Sequence, residues 1–374
     1  MAAAAWIGWT LAAIAAIGIA YQAVSLFALW RYFRKPAPRS SSTAPVTLLK
    51  PLHGAEPCLA ENLATFLEQD YAGPVQMVCG VGRDDDPAVA AVHALRRDHA
   101  DADIVLSSNQ PAIGANGKVG NLAHMMTAAR HEVLVQSDSD MAVGPDYLST
   151  VLGALEQPGV GAVSCLYTGR ADAGVWSSLD AAIVSYSGMP KVVMSLFTGA
   201  AVPCMGSTIA LRRETLEAIG GFEAFADVLA DDYAIGEAVR ATGKSIAMPP
   251  LLLVHAAIHP SLGHVWRQHL RWAVTIRGVQ PVLHVASGVV YAVPFSVLVV
   301  PFLPLPGLVL LVLAMVPRVA IAASVNRIAR RKTAPFWMVP VADCIDFAVW
   351  AASLAARTIH WRGSRLKMTS DGRI

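Results

Sequence analysis

Three Asp-x-Asp pairs stand in the chain, at Asp84/Asp86, Asp101/Asp103 and Asp138/Asp140. Two carboxylates at that spacing can hold a hard divalent cation and, through it, a diphosphate. With 15 Asp between residues 40 and 278, chance alone supplies about one such pair, so position must separate them. Asp138 and Asp140 directly follow the apolar run 133–136, whereas Asp101 and Asp103 precede theirs and read as a solvated loop. Asp84–Asp86 follow the run 75–81, and two readings of Asp86 stay open: ligand contact, or capping of a helix that starts at Pro87. Further along, Asp231-Asp232-Tyr233 opens a helical pattern. Both acids suit a helix N-terminus, yet two exceed what capping needs, which leaves one for proton abstraction. Gln268, Arg271 and Trp272 share a face of an amphipathic pattern over 261–277, whose other stripe is Leu262, Val265, Trp266, Leu270 and Val274. That helix could equally lie on a membrane surface. Gly114-Ala115-Asn116-Gly117-Lys118 is no complete phosphate loop, because Ala112 and Val119 stand where Gly and Ser/Thr are needed. Lys118 then either approaches a phosphate or sits on a plain surface loop.

These residues need elements to hold them. Short apolar runs at 46–49, 75–81, 104–106 and 133–136 alternate with helical periods at 57–69, 87–99 and 119–130. Such β-α alternation predicts a mostly parallel sheet covered by helices on both faces. Ligands in such sheets lie at the carboxyl ends of the strands. Lys50, Asp86 and the Asp138/Asp140 pair all follow strands and fall there.

Outside this body the composition changes. Apolar residues make up 55% of the 374 and charged residues 15%, and 24 of the 27 acids lie between 40 and 278. Residues 6–30 and 278–317 carry no Asp, Glu, Lys or Arg. The first run is long enough to span a bilayer and reads as a retained anchor; Arg31, Arg34, Lys35 and Arg39 behind it predict a cytoplasmic body. Three apolar stretches, near 282–302, 306–326 and 334–356, follow the body, and one of them, the proline-rich first or the Asp-bearing last, is re-entrant or interfacial. The basic tail holds Arg357, Arg362, Arg365 and Lys367. A shorter apolar run at 189–202, broken by Lys191, is either a wall of a lipid entrance or buried inside the body. The 29 basic and 27 acidic residues nearly cancel, so no nucleic-acid-binding excess exists. Five widely spaced cysteines argue against a disulfide framework or zinc site and read as buried small apolar residues.

Asp86, Asp138-x-Asp140, Asp232 and Gln268-x-x-Arg271-Trp272, in that order, resemble the inverting glycosyltransferases of the GT-A fold. Leu49-Lys50-Pro51-Leu52-His53-Gly54, Asp85-Asp86-Pro87-Ala88 and Trp361-Arg362-Gly363 bring the resemblance closer, to the ceramide glucosyltransferase family and its bacterial hopanoid-biosynthesis relatives. The resemblance implies a GT-A, Rossmann-like catalytic domain over 44–257. It also implies an anchor at 1–31, an interfacial helix at 258–278, membrane segments at 279–357 and a basic tail at 358–374. It further implies Mg2+ or Mn2+, a UDP-sugar donor, a ceramide or hopanoid acceptor, and a place in the bacterial inner membrane, with no obligate protein partner. On that pattern Asp138 and Asp140 hold the metal, and Lys50, Asp86, Lys118 and Asp138 contact the nucleotide sugar. Asp232 is the base, and Gln268, Arg271 and Trp272 complete the catalytic set. A polysaccharide synthase shares the motifs but needs more spans, and a polyprenyl-phosphate glycosyltransferase needs no base at Asp232. A transporter or a non-catalytic scaffold fits the single polar block poorly.

Overall fold

The computed structural model describes residues 2–108, 111–356, 359–361 and 364–366. Of the tail, Arg357, Arg362, Gly363 and Lys367 lie outside the described residues. The strands are β1 (Val46–Pro51), β2 (Val75–Gly80), β3 (Asp103–Ser107), β4 (Val133–Gln136), β5 (Met141–Ala142), β6 (Val160–Val163), β7 (Leu166–Ala171), β8 (Ile209–Arg212), β9 (Ser245–Ala247) and β10 (Leu252–Ala257). The helices are α1 (Ala2–Phe33), α2 (Leu59–Thr65), α3 (Ala88–Asp98), α4 (Gly117–Met125), α5 (Tyr147–Leu155), α6 (Gly174–Ala182), α7 (Met189–Thr198), α8 (Arg213–Ala218), α9 (Asp231–Ala241), α10 (Leu262–Val279), α11 (Pro281–Ala286), α12 (Ala292–Val299), α13 (Pro304–Ile328) and α14 (Met338–Ala355). The described residues form two compact units, one of residues 2–35, 168–200 and those from 257 on, the other of 36–167 and 201–256. Residues 168–200, inside the span expected for a single catalytic domain, thus group with the terminal helices.

In the second unit a seven-stranded sheet runs β3-β2-β1-β4-β8-β6-β9. β1 pairs in parallel with both β2 and β4, and β2 with β3, as the alternation predicts. β8 enters antiparallel to β4 and to β6. Every residue of β1 and β4 is buried, because helices cover both faces and a strand so covered must be apolar on both sides. Alternate side chains serve the two faces. Val46, Leu48, Met77 and Val135 pack with Leu63, Phe66, Val92 and Leu152 on one side. Leu49, Val78 and Leu134 pack with Val119, Leu122, Ile235 and Val239 on the other. The predicted helix 57–69 shortens to α2, and 119–130 shifts back to α4. Asn116 accepts hydrogen bonds from the Lys118 and Val119 amides and so starts that helix two residues early. Asp103 opens β3 and pairs with Arg130 instead of standing in a loop.

The first unit is helical. Its α1, α13 and α14 are long and apolar enough to cross a membrane, and Pro281–Val290 with Ala292–Val299 forms a pair bent by 58°. This bend falls on the proline-rich segment that the sequence marks as a re-entrant candidate. Side chains such as Trp6, Trp9, Leu305, Val312 and Val316 are exposed, as lipid-facing positions are. Where α1 meets α12 it does so through Gly18: a Cβ there would stand 2.9 Å from the Val289 carbonyl oxygen and 3.0 Å from Ala292. Small residues permit such backbone approach between apolar helices, where dispersion replaces the hydrophobic drive. The expected stripe on α10 is only partly buried: Val265 and Val274 are, but Leu262 is exposed and His269 takes a buried place. Cys79, Cys165 and Cys204 are buried as expected; Cys58 and Cys344 are exposed.

Candidate active site

The carboxyl end of β4 delivers Ser137, Asp138, Ser139 and Asp140. Asp138 Oδ1 lies 2.7 Å from the Lys118 amine, which also reaches Asp231 Oδ2 at 3.4 Å. Lys118 is therefore no surface-loop residue; its side chain retains only 15% exposure between two acids. Burial alone would lower its pKa, but Asp138, Asp231 and Asp232 reverse that and keep it charged. Asp140 Oδ2 lies 3.2 Å from His255 Nε2. Burial would raise the Asp140 carboxyl, yet His255 and the two lysines hold it below the usual value.

Gly206 joins these acids to the pair at the start of α9. Its N–H donates to Asp232 Oδ2 at 3.1 Å, and its carbonyl accepts from the Asp138 N–H at 3.1 Å and from Gln136 Nε2 at 3.3 Å. Asp232 Oδ1 accepts from the Tyr233 N–H at 2.8 Å. The N-cap of α9 is Ala230, with no side-chain cap, and of the two aspartates' oxygens Asp232 Oδ1 meets a first-turn amide, that of Tyr233. Burial, with the neighbouring Asp231 next, pushes Asp232 up to about 6. A carboxylate in that range is a competent proton acceptor near neutral pH.

Two predicted contact residues, Lys50 and Asp86, are held by partners within the protein. Lys50 is fully buried, donates to Ser137 Oγ at 3.2 Å and to the Asp138 carbonyl at 2.7 Å, and lies 3.6 Å from the Phe66 ring centroid. Its amine braces the chain at the end of β4, and burial drops its pKa to about 7. Asp86 Oδ1 accepts from the Gly54 and Ala88 amides at 2.8 and 2.9 Å, so the capping reading holds for that oxygen; Oδ2 stands 3.4 Å from His53 Nδ1. Its neighbours Asp84 and Asp85 pair with Ser108 and Arg83.

Gln268, Arg271 and Trp272 lie on α10 in the helical unit. There Asp180, fully buried on α6, meets His269 Nε2 at 2.7 Å, with His259 Nε2 at 3.8 Å. The His269 ring meets Trp272 edge to face at 5.1 Å. Sequence reasoning missed this brace, together with Gly206, His255 and Glu56. Burial, followed by the nearby Asp140, raises Glu56 to about 7. Its position in the loop after β1, at a strand's carboxyl end, was the available signal.

A divalent cation fits this site. Asp138 and Asp140 are hard oxygen donors, and Asp140 Oδ1 is buried with no hydrogen-bond partner. Among the described residues no three His, Cys, Asp or Glu side chains form a closed cage.

The fold matches that of a mannosyltransferase from Pyrobaculum calidifontis in complex with GDP-Man and Mn2+, with a TM-score of 0.51 and 24% identity over 92% of this chain and 99% of that one. It is the GT-A fold. Among curated proteins, Ceramide glucosyltransferase 1 of Caenorhabditis elegans is 24% identical over 63% of this chain and 48% of its own length. Ceramide glucosyltransferase of Komagataella phaffii is 33% identical over 40% of this chain and 31% of its own. The chain thus spans less than half the length of these relatives. The description Glycosyl transferase family 21 matches residues 10–374; with the GT-A sheet and the acids at its carboxyl edge, the chain belongs to that family.

Proposed function

We propose that the chain is a membrane-bound, inverting glycosyltransferase that moves a hexose or N-acetylhexosamine from a UDP-sugar to the hydroxyl of a membrane lipid. Ceramide or a hopanoid is the acceptor, and the sheet unit lies in the cytoplasm beneath the bacterial inner membrane. The observation that carries this reading is the Gly206 junction, which ties the carboxylate suited to a cation, Asp138, to a buried carboxylate of pKa about 6, Asp232. A lipid alcohol is a weak nucleophile and needs a base; Asp232 Oδ takes its proton as the oxygen attacks the anomeric carbon. The bond to UDP breaks on the opposite face, which inverts the centre. Mg2+ or Mn2+ held by Asp138 and Asp140 supplies charge to the leaving diphosphate. Lys118 adds a fixed positive charge beside it, and Lys50 keeps the Asp138 backbone in register. Gln268, Arg271 and Trp272 are assigned from their motif: Arg271 to the departing phosphate and Trp272 to an apolar wall.

The test is Asp232→Asn, assayed with radiolabelled UDP-sugars on ceramide and hopanoid acceptors. The variant is expected to keep UDP-sugar affinity and lose about 10²–10⁴-fold in turnover. Equal loss of binding and turnover would make Asp232 a structural acid and overturn its assignment as base.

A further inference from the structure

Asn116, the residue that starts α4, is fully buried and uses every donor and acceptor of its side chain. Its carboxamide oxygen accepts from the Lys118 and Val119 amides at 3.1 and 3.3 Å. Its nitrogen donates to the Val228 carbonyl at 2.7 Å and to Asp231 Oδ1 at 3.4 Å. The orientation of the amide is unambiguous, because backbone N–H groups only donate, while a carbonyl and a carboxylate only accept. Capping of α4 explains the oxygen. It does not explain the nitrogen. The backbone beside it is fixed without that group, since the Ala115 N–H donates to Asp227 Oδ1 at 2.8 Å and the Asn116 N–H to the Ala226 carbonyl at 2.7 Å. What the side-chain nitrogen adds is a hold on the Asp231 carboxylate.

That carboxylate is buried and divides its oxygens, Oδ1 toward Asn116 and Oδ2 toward the Lys118 amine. Lys118 stands between two acids at unequal distances, 2.7 Å from Asp138 and 3.4 Å from Asp231. Equal charges on a flexible lysine's two sides would not by themselves set that bias. A carboxylate free to turn closes on an ammonium to about 2.7–2.9 Å. The Asn116 donor takes one Asp231 oxygen and opposes that turn. The Gly206 backbone confines the amine further, since a Cβ built there would stand 2.8 Å from it.

We propose that Asn116 is a positioning residue for the transfer: it holds the Asp231 carboxylate back, so that the Lys118 amine stays on Asp138, where the donor diphosphate arrives. That the diphosphate arrives there rests on the function proposed above; the hydrogen bonds that set the lysine do not. Asp232 takes its own hydrogen bonds from the Gly206 and Tyr233 amides, so donor binding and proton transfer respond separately to a change at Asn116.

The experiment is isothermal titration of the full chain with UDP and Mn2+, for wild type, Asn116→Ser, Lys118→Gln and the double variant. Serine caps a helix about as well as asparagine but is too short to reach Asp231. Asn116→Ser should weaken UDP binding about fivefold or more with the native lysine, and less than about twofold once Lys118 is replaced, because effects within one network do not add. With UDP-sugar and lipid acceptor the donor KM should rise by a similar factor while kcat stays within about threefold. Asn116→Asp keeps the shape and the cap but cannot donate, and it repels Asp231 toward Lys118; it should weaken UDP at least as much. An equal loss from Asn116→Ser in both lysine backgrounds, or a lower kcat at unchanged donor KM, would reduce Asn116 to a helix cap and overturn the proposal. So would wild-type UDP affinity in Asn116→Asp. If Lys118→Gln alone leaves UDP affinity unchanged, the lysine does not face the diphosphate; that reading of the site fails, and Asn116 loses its role with it. If wild type binds UDP yet glycosylates no lipid, the proposed acceptor is wrong, and the titrations still decide what Asn116 does.

Discussion

Replacing Gly206 with alanine tests the junction directly. Gly206 is not among the glycines with positive φ, so alanine adopts its backbone without strain. The added Cβ, however, would lie 2.7 Å from Asp138 Oδ2 and 2.8 Å from Lys118 Nζ. Ordinary contact starts at 3.4 Å, so both groups must yield by more than half an ångström. Lys118 can swing, but doing so stretches its 2.7 Å ion pair with Asp138. A hydrogen bond between charged groups contributes about 1.5–3 kcal/mol, and a tenfold change in affinity corresponds to about 1.4 kcal/mol. Loss of that bond therefore predicts ~10–100-fold weaker Mn2+-dependent UDP binding. Isothermal titration of the full chain with UDP and Mn2+ measures this. Gly82→Ala serves as control, because a Cβ there meets nothing within 4 Å. If Gly206→Ala binds UDP within threefold of both wild type and the control, Asp138 and Lys118 do not face the diphosphate. The site assignment would then be wrong.

Other expectations concern protons and the metal. Asp138→Asn should abolish Mg2+- or Mn2+-dependent UDP-sugar binding with circular dichroism unchanged, and EDTA should stop turnover; full activity in EDTA would refute the metal role. Asp232, raised to about 6, must be ionised to act, so kcat/KM should fall as pH drops through about 6 and level off above 7. A flat profile from pH 5 to 8 would count against it as base. Lys50 has a folded pKa of about 7, lowered from 10.5, so between those values the unfolded chain binds more protons than the native one. Stability should therefore rise with pH across that window, by up to about 1.4 kcal/mol per unit. Lys50→Met should remove this slope in thermal melts; an identical slope would place the titrating group elsewhere.

The order of elements in the sheet unit was legible because its signals are local. Apolar runs at 46–49 and 133–136 are buried strands whatever lies far away, and acids directly after them must reach the carboxyl edge of a parallel sheet. Asp138 and Asp140 were visible for that reason, and Asp232 because two acids at the start of α9 exceed what capping needs. Their partners were not. His255 meets Asp140 only because β10 pairs antiparallel with β5 in a register that sets His255 opposite Met141. Gly206 precedes β8, whose antiparallel pairing with β4 sets its backbone between Asp138 and Asp232. Periodicity carries no information about such pairings. Asp86 shows the converse: a carboxylate at the right strand end whose Oδ1 the local turn and the Gly54 amide had already taken. The helices long and apolar enough to cross a membrane were readable from hydropathy alone, since length and composition are local signals. Which polar atoms within them would be left unmet, Gln22 and Ser25, depended on how helices distant in sequence pack, and only the tertiary structure decided that.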